Sequence, residues 1–398
     1  MKLDRQIPLL RLILILVATS SMLLGWSSIH FDAAAEEVRV ELSSNLLDPP
    51  GPYKVFIPLV IQPDLDPPNL EITQGIQEPA NAVALVADRP TFVRYTVTST
   101  TPYDDVHAYL YGFRDGFPLP GSPIEAVNNP RTLTPSANRD ILSDTFNFFL
   151  PPTWTSGEIN LSGSASSSTG FNHFSRAAVF TFLETDPLDV TIIPIEYTCT
   201  SGGSGTRTPA SPYDYLVDFT YRVYPVPTVN TTTHAPLSYS GPCTAGIPDP
   251  TYSPGLPYDD SDWERLLQLV TGVWQSEGNP NNYYYGLLDV YCGGGCVSGM
   301  GWIGSSKAAV GFSGIGASHS YASDTHAHEV GHNHGLRHAP GCGASGLDPY
   351  PYISGLIGDV THLNQGFDLF NPSLKTYSTY FDLMSYCDPV WISDYNYD

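Results

Sequence analysis

Eleven consecutive residues, His328-Glu329-Val330-Gly331-His332-Asn333-His334-Gly335-Leu336-Arg337-His338, constrain this chain more than any other stretch. They spell HExxHxxGxxH. His328 and His332 are four positions apart, so on an α-helix their imidazoles leave one face and can meet one metal ion. Glu329 falls beside them, near an open coordination position. A straight helix would carry the following residues away, but Gly335 adopts positive φ at little cost and turns the chain back so that His338 can close the site. Three imidazoles plus a water is the catalytic zinc arrangement, whereas structural zinc is normally closed by four ligands rich in cysteine. The expected metal is therefore Zn2+, held by His328, His332 and His338, with Glu329 as general base.

The 398-residue chain is long enough for two ordinary domains, and 41% hydrophobic content supplies packed cores. Its 40 acidic residues against 17 basic give a formal charge of −23, which argues against nucleic acid or an anionic membrane as partner. Lys2, Arg5 and Arg11 precede an apolar run, Leu12 to Trp26, and then Ala33-Ala34-Ala35. That layout predicts a secretory signal peptide over residues 1–35, with an uncleaved N-terminal anchor as the alternative. Prolines around Asp48 and Asp64 mark residues 36–69 as a semi-rigid linker. The six cysteines, all in the C-terminal half, suit an exported, oxidised domain. Among the fifteen pairings that six cysteines allow, the expected set is Cys199 with Cys243, Cys292 with Cys296, and Cys342 with Cys387. A second zinc site built from cysteines is the rival.

From 70 to 186 short β-forming runs, Thr91 to Thr98, Val106 to Phe113, Thr145 to Leu150, Glu158 to Ser164 and Ala177 to Leu183, are separated by turn residues. They predict an immunoglobulin-like β-sandwich. His107 and His173 are isolated there and read as solvent-facing or structural. Leu188 to Ile195 is a nearly continuous apolar run, expected of a buried strand. Residues 198 to 258 read as loop-rich. Ser261 and Glu264 then form a capping box before a helix whose Trp263, Leu266, Leu267, Val270, Val273 and Trp274 recur at helical spacing. Leu287 to Tyr291 and Ala308 to Phe312 predict further strands, and the histidine helix is expected to start near Ser320 or Ser323.

The extended histidine motif resembles the signature of the metzincin clan of zinc metallopeptidases, in which a methionine turn follows it. Phe381-Asp382-Leu383-Met384-Ser385-Tyr386-Cys387 is similar to such a turn. The resemblance implies that Met384 forms a hydrophobic floor beneath the metal. It also implies a role for Tyr386, which matches the tyrosine that astacins and serralysins use beside the zinc to stabilise an oxyanion; packing alone is the other reading. Asp382 is a candidate to orient the turn or a histidine, and the 300 to 313 segment a candidate to pair with extended substrate, as an edge strand does in metzincins. His319, His326 and His334 fall off the ligand face. Ala339, after the third histidine, matches none of the matrixin, astacin, serralysin or reprolysin patterns; the turn resembles instead a bacterial group of secreted metzincin-like proteins.

The fold class expected is α+β: the sandwich at 70–186, then a metzincin-like catalytic domain at 187–398 with a mixed sheet and a zinc-binding helix. The expected function is a secreted or surface-anchored zinc endopeptidase acting on extracellular proteins or glycoproteins. The alternative is a catalytically silent zinc-containing protein of surface binding or adhesion. Glu329 discriminates, because a degenerate enzyme tends to lose its base before its scaffold.

Overall fold

A computed structural model describes Trp26–Asp32, Arg39–Ser44 and residues 70–398 apart from 250–261, 291–296, 315–318 and 345–348. Most of the expected leader and linker, Ser261 of the capping box, and the expected Cys292 to Cys296 pair lie outside the described residues. The chain divides into two compact units, Met1–Asp66 and Pro67–Asp398. In the first, Trp26–Asp32 and Arg39–Ser44 pair antiparallel. The second is a mixed α+β unit dominated by sheets. No helix of the described residues is long and apolar enough to cross a membrane.

The first part of the larger unit is all β. One sheet is ordered Arg131–Leu133, Tyr103–Arg114, Gly157–Ser166, Ala178–Leu183 and Leu85–Val86, and a second is ordered Phe146–Phe149, Phe92–Tyr95 and Leu70–Thr73. Each of the five predicted β-forming runs overlaps one of these strands. Along Tyr103–Arg114, Val106, Ala108 and Leu110 point inward while their neighbours face out, the period-2 alternation of a half-buried strand. These residues share a core with Tyr95, Phe146, Phe148 and Trp154. Gly112 is required there, since a Cβ on it would lie 2.5 Å from the Trp154 ring.

The second part is built on a mixed sheet ordered Ile247–Pro248, Leu237–Thr244, Leu188–Ser201, Tyr283–Leu288, Ala308–Phe312 and Gly299–Gly301. Its central pairings are parallel, and Gly299–Gly301 closes one edge antiparallel. Adjacent residues along these strands enter different cores: Ile193, Tyr284, Ala308 and Val310 pack on the helix Asp262–Ser276, whereas Ile192, Tyr285 and Ala309 join Ala322, Ala327 and Val330 of the helix His319–Asn333. The sheet therefore carries one helix on each face. In Asp262–Ser276 the predicted stripe is core: Trp263, Leu266, Leu267 and Val270 are buried, each contributing about 1.5–3 kcal/mol.

Two expectations shift. The 198–258 segment is less loop-like than its composition suggests, holding the short helix Asp218–Val223 and the strand Val229–Thr233. That strand is threonine-rich and mostly exposed; it is held by backbone pairing with Leu188–Ser201 and not by burial, so it carries no apolar pattern to read. The strand expected at 287–291 sits earlier, at Tyr283–Leu288, where tyrosines supply the buried surface.

Buried arginines join the two parts. Arg89 donates to the carbonyls of Gln74, Tyr221, Arg222 and Val226, so it caps the C-terminal end of the helix Asp218–Val223 from the β-rich part. Arg94 donates to the Gln365 side chain at 2.6 Å and lies 3.8 Å from Glu71. Two disulfides match expected pairs. Cys199–Cys243 joins neighbouring strands and Cys342–Cys387 joins distant loops, each contributing about 2–4 kcal/mol, and together they fit an oxidising compartment. Arg89→Met should strip several buried carbonyls of their donor and lower stability by about 3 kcal/mol or more. Chemical denaturation reads this as a lower midpoint at unchanged slope; a shift under about 0.5 kcal/mol would mean that those carbonyls find other donors.

Candidate metal centre

The histidine helix His319–Asn333 ends where the sequence turns it. Gly335 has φ +95°, its N–H donates to His332 O at 2.8 Å, and Leu336 N–H donates to Gly331 O at 3.1 Å. This is a Schellman ending, with glycine at the left-handed position. It swings His338 back over the helix. The side-chain nitrogens of His328, His332 and His338 come within 4.8 Å of one another, and among the described residues no other group of three His, Cys, Asp or Glu is so arranged.

The backbone sets the tautomers. His328 Nδ1 lies 2.7 Å from Leu383 O, and His332 Nδ1 lies 2.8 Å from Leu336 O. A carbonyl only accepts, so each Nδ1 carries the proton and each Nε2 keeps a lone pair. His332 Nε2 and His338 Nε2 then approach to 3.1 Å. Lone pairs converging on one point are the fit expected for a cation. Burial, with His332 and His338 as lesser causes, pushes His328 down to about 3; burial pushes His332 to about 4 and lowers His338. Neutral imidazole is the ligating form. The three-histidine group could hold a metal ion.

Glu329, between His328 and His332 on the helix, is 6% exposed and lines the same cleft of about 740 Å³. Burial lifts its carboxyl to about 8, and a cation beside it would oppose that shift. The edge strand lies directly against it: a Cβ on Gly299 would be 2.8 Å from Glu329 Cγ, and one on Gly301 2.3 Å from Glu329 O. Only glycine lets the edge come so near. Asn333 fastens the helix end to that side of the sheet by donating to Trp302 O and Ala308 O.

Met384 is fully buried under the helix, and a Cβ on Gly331 would meet its Sδ at 2.8 Å. The glycine between Glu329 and His332 thus makes room for the methionine. Ala339 N–H donates to Met384 O, which ties the segment after His338 to the turn. Asp382 organises that turn: its carboxylate accepts from the Met384 and Ser393 N–H groups, the Ser393 hydroxyl and the Asn396 amide. Burial raises its carboxyl despite those bonds. Tyr386, 55% exposed, brings its hydroxyl 3.2 Å from His338 Nε2 and its ring to 4.9 Å from the His338 ring.

The remaining histidines have other partners. His326 faces the core, with Nδ1 2.7 Å from Thr220 Oγ1 and its ring 4.6 Å from Tyr285. His334 stacks on Tyr283 at 4.7 Å. His107 lies near Asp105 and Glu125, and His173 Nδ1 is 2.6 Å from Tyr95 Oη. His319 opens the helix, and its side chain lies outside the described residues. Sequence reasoning passed over Asp324, Phe219 and Asp388, which also line the cleft. For Asp324 the signal was present, since it stands four before His328 at the spacing that pairs His328 with His332. A scan against protein-family models and a search of curated proteins each return no match to this chain.

In the metal-free protein, His326, His328 and His332 should remain neutral at pH 5, where an exposed histidine is mostly protonated, because burial holds them at about 3, about 3 and about 4. Long-range nitrogen NMR reads the protonation state of each ring. An imidazolium signature from any of the three at pH 5 would contradict the burial argument.

Proposed function

We propose that the chain is a secreted zinc endopeptidase of the metzincin type, acting on extracellular proteins or glycoproteins. The observation that carries this reading is Glu329: a buried carboxylate in a cleft, flanked on its own helix by two neutral imidazoles whose Nε2 lone pairs converge with that of His338. His328, His332 and His338 would hold the zinc, which supplies Lewis acidity toward a carbonyl and acidifies a water when bound. Glu329 takes a proton from the attacking water at a carboxylate oxygen and delivers it to the leaving amine nitrogen. Its burial favours the protonated form and so keeps the carboxylate basic enough to accept at neutral pH. The Tyr386 hydroxyl, at the exposed mouth of the cleft, donates to the oxyanion developing on the scissile carbonyl. The antiparallel edge Gly299–Gly301 along the same cleft offers backbone groups to an extended peptide.

The same proposal includes a signal peptide or anchor at 1–35, a linker at 36–69, an immunoglobulin-like sandwich at 70–186 and the catalytic domain at 187–398. The disulfides support an extracellular setting. A surface-binding protein that had lost its chemistry would have no need of a buried Glu329 between its ligands.

Three variants separate metal holding from chemistry. Glu329→Gln should keep one zinc per chain while peptide turnover falls at least 10² to 10⁴-fold, the range for a lost general acid–base. His332→Ala should lose the zinc. Tyr386→Phe should lower kcat about 10² to 10³-fold with KM little changed, since its bond is made mainly in the transition state. Metal analysis beside peptidase kinetics decides: an active Glu329→Gln refutes the mechanism, and a silent Tyr386→Phe leaves the tyrosine a packing role only.

A further inference from the structure

The cleft does not end at the histidines. A second cavity of about 620 Å³ opens beside it, and the two share Phe219, Tyr321, Asp324, Asp388 and Val390. Asp324 lies one helical turn before His328, so it projects from the face of the helix that presents the ligand pair. Among the described residues, no side-chain hydrogen bond or close ion pair holds the Asp324 carboxylate, whose charged neighbours are Asp388 and Arg222.

The cations of this cavity are already engaged. Arg222 donates to Asp368 at 2.7 Å, and the Lys375 ammonium lies 5.3 Å from the ring centres of both Tyr380 and Trp391. With Asp218, Asp324, Asp368 and Asp388 facing only Arg222 and Lys375, the cavity has two carboxylates more than cations. Burial, and after it the charge of Asp388, lifts the Asp324 carboxyl to about 7, with Arg222 only partly opposing. The negative form of Asp324 is therefore short of a counter-charge. Phe219, Tyr321, Tyr380 and Trp391 give the cavity aromatic walls. An occupant that satisfies all of this has an apolar stem to lie along rings and a cation at its end to meet the carboxylate. A neutral aliphatic side chain would fill the space and leave Asp324 unpaired.

We propose that this side cavity receives an arginine or lysine side chain of the peptide lying in the cleft, with Asp324 as the specificity-determining residue and Asp388 adding to its field. The inference deepens the endopeptidase reading and rests on it for the identity of the ligand as a peptide. It assigns the substrate class: chains with a basic residue close to the bond that is cut.

The test uses fluorescein-labelled peptides of one sequence in which arginine, norleucine or glutamate is placed singly at each of several central positions. Polarisation is read on the full chain carrying Glu329→Gln, which binds without turnover, and cleavage is read on the wild type. At one position arginine should bind at least tenfold tighter than norleucine, with glutamate weakest. Adding Asp324→Asn should bring the arginine peptide down to the norleucine level, and Asp324→Lys should make glutamate the preferred residue. An arginine preference that survives Asp324→Asn, or an arginine-to-norleucine ratio near one at every position, overturns the assignment. A binding preference on the Glu329→Gln chain with no peptide cleaved by the wild type refutes the peptidase reading and leaves the cavity assignment standing. Cleavage without charge preference does the reverse.

Discussion

The Nδ1 proton of His328 is donated to the carbonyl of Leu383, and the geometry of the cleft depends on that contact. It fixes the ring plane and the tautomer at once, leaving Nε2 to face His332 and His338. The carbonyl is itself held in place, because its neighbours are pinned: Met384 by the Asp382 carboxylate, and Asp382 by Ser393 and Asn396. Orientation of a ligand by a hydrogen bond to its other nitrogen is how proteins tune metal sites, and here the orienting group is backbone, which no side-chain substitution removes. The close approach has a steric condition, met by Gly331 above Met384. A methyl group at 331 would push the turn from the helix and carry Leu383 O with it.

Much of the site was legible because helix periodicity converts spacing into direction. His328, Glu329, His332 and the break at Gly335 could be placed before any coordinates, and the structure brings the three histidines together. Methionine and tyrosine at 384 and 386 were legible only through resemblance, since no spacing rule links them to the helix. Asp382 could be named but its four donors could not, because Ser393 and Asn396 reach it through a turn whose path depends on tertiary contacts. The side cavity escaped notice for a similar reason. Asp324 has the right spacing, but Phe219, Lys375 and Trp391 come from segments far apart in sequence.

The β-rich part was readable as strands and not as a partner. Alternation identifies which face of Tyr103–Arg114 is buried, and says nothing about Arg89 or Arg94, whose partners from the other part are the carbonyls of Tyr221, Arg222 and Val226 for the first and the Gln365 side chain for the second. A charged residue within an apolar run reads as solvent-facing. Arg89 is instead the cap of the helix Asp218–Val223, whose Phe219 borders the cleft. Pro67–Asp398 is accordingly one compact unit, with the three-histidine group in its second part.

The order of residues along the chain sets a timetable for the site. The helix carrying His328 and His332 is synthesised before the turn that orients it, and Cys387, which ties the turn to the loop after His338, comes later still. Proteins are made N-terminus first, at several residues per second, so a nascent chain holds its histidines for some seconds without Leu383 O, Met384 or Asp382. During that interval the rings are free to rotate and the floor is missing. Closing the floor covalently also needs an oxidant, which a reducing interior withholds. The order of the chain thus completes the three-histidine centre only once the turn has been made and the Cys342–Cys387 bond has closed beneath it.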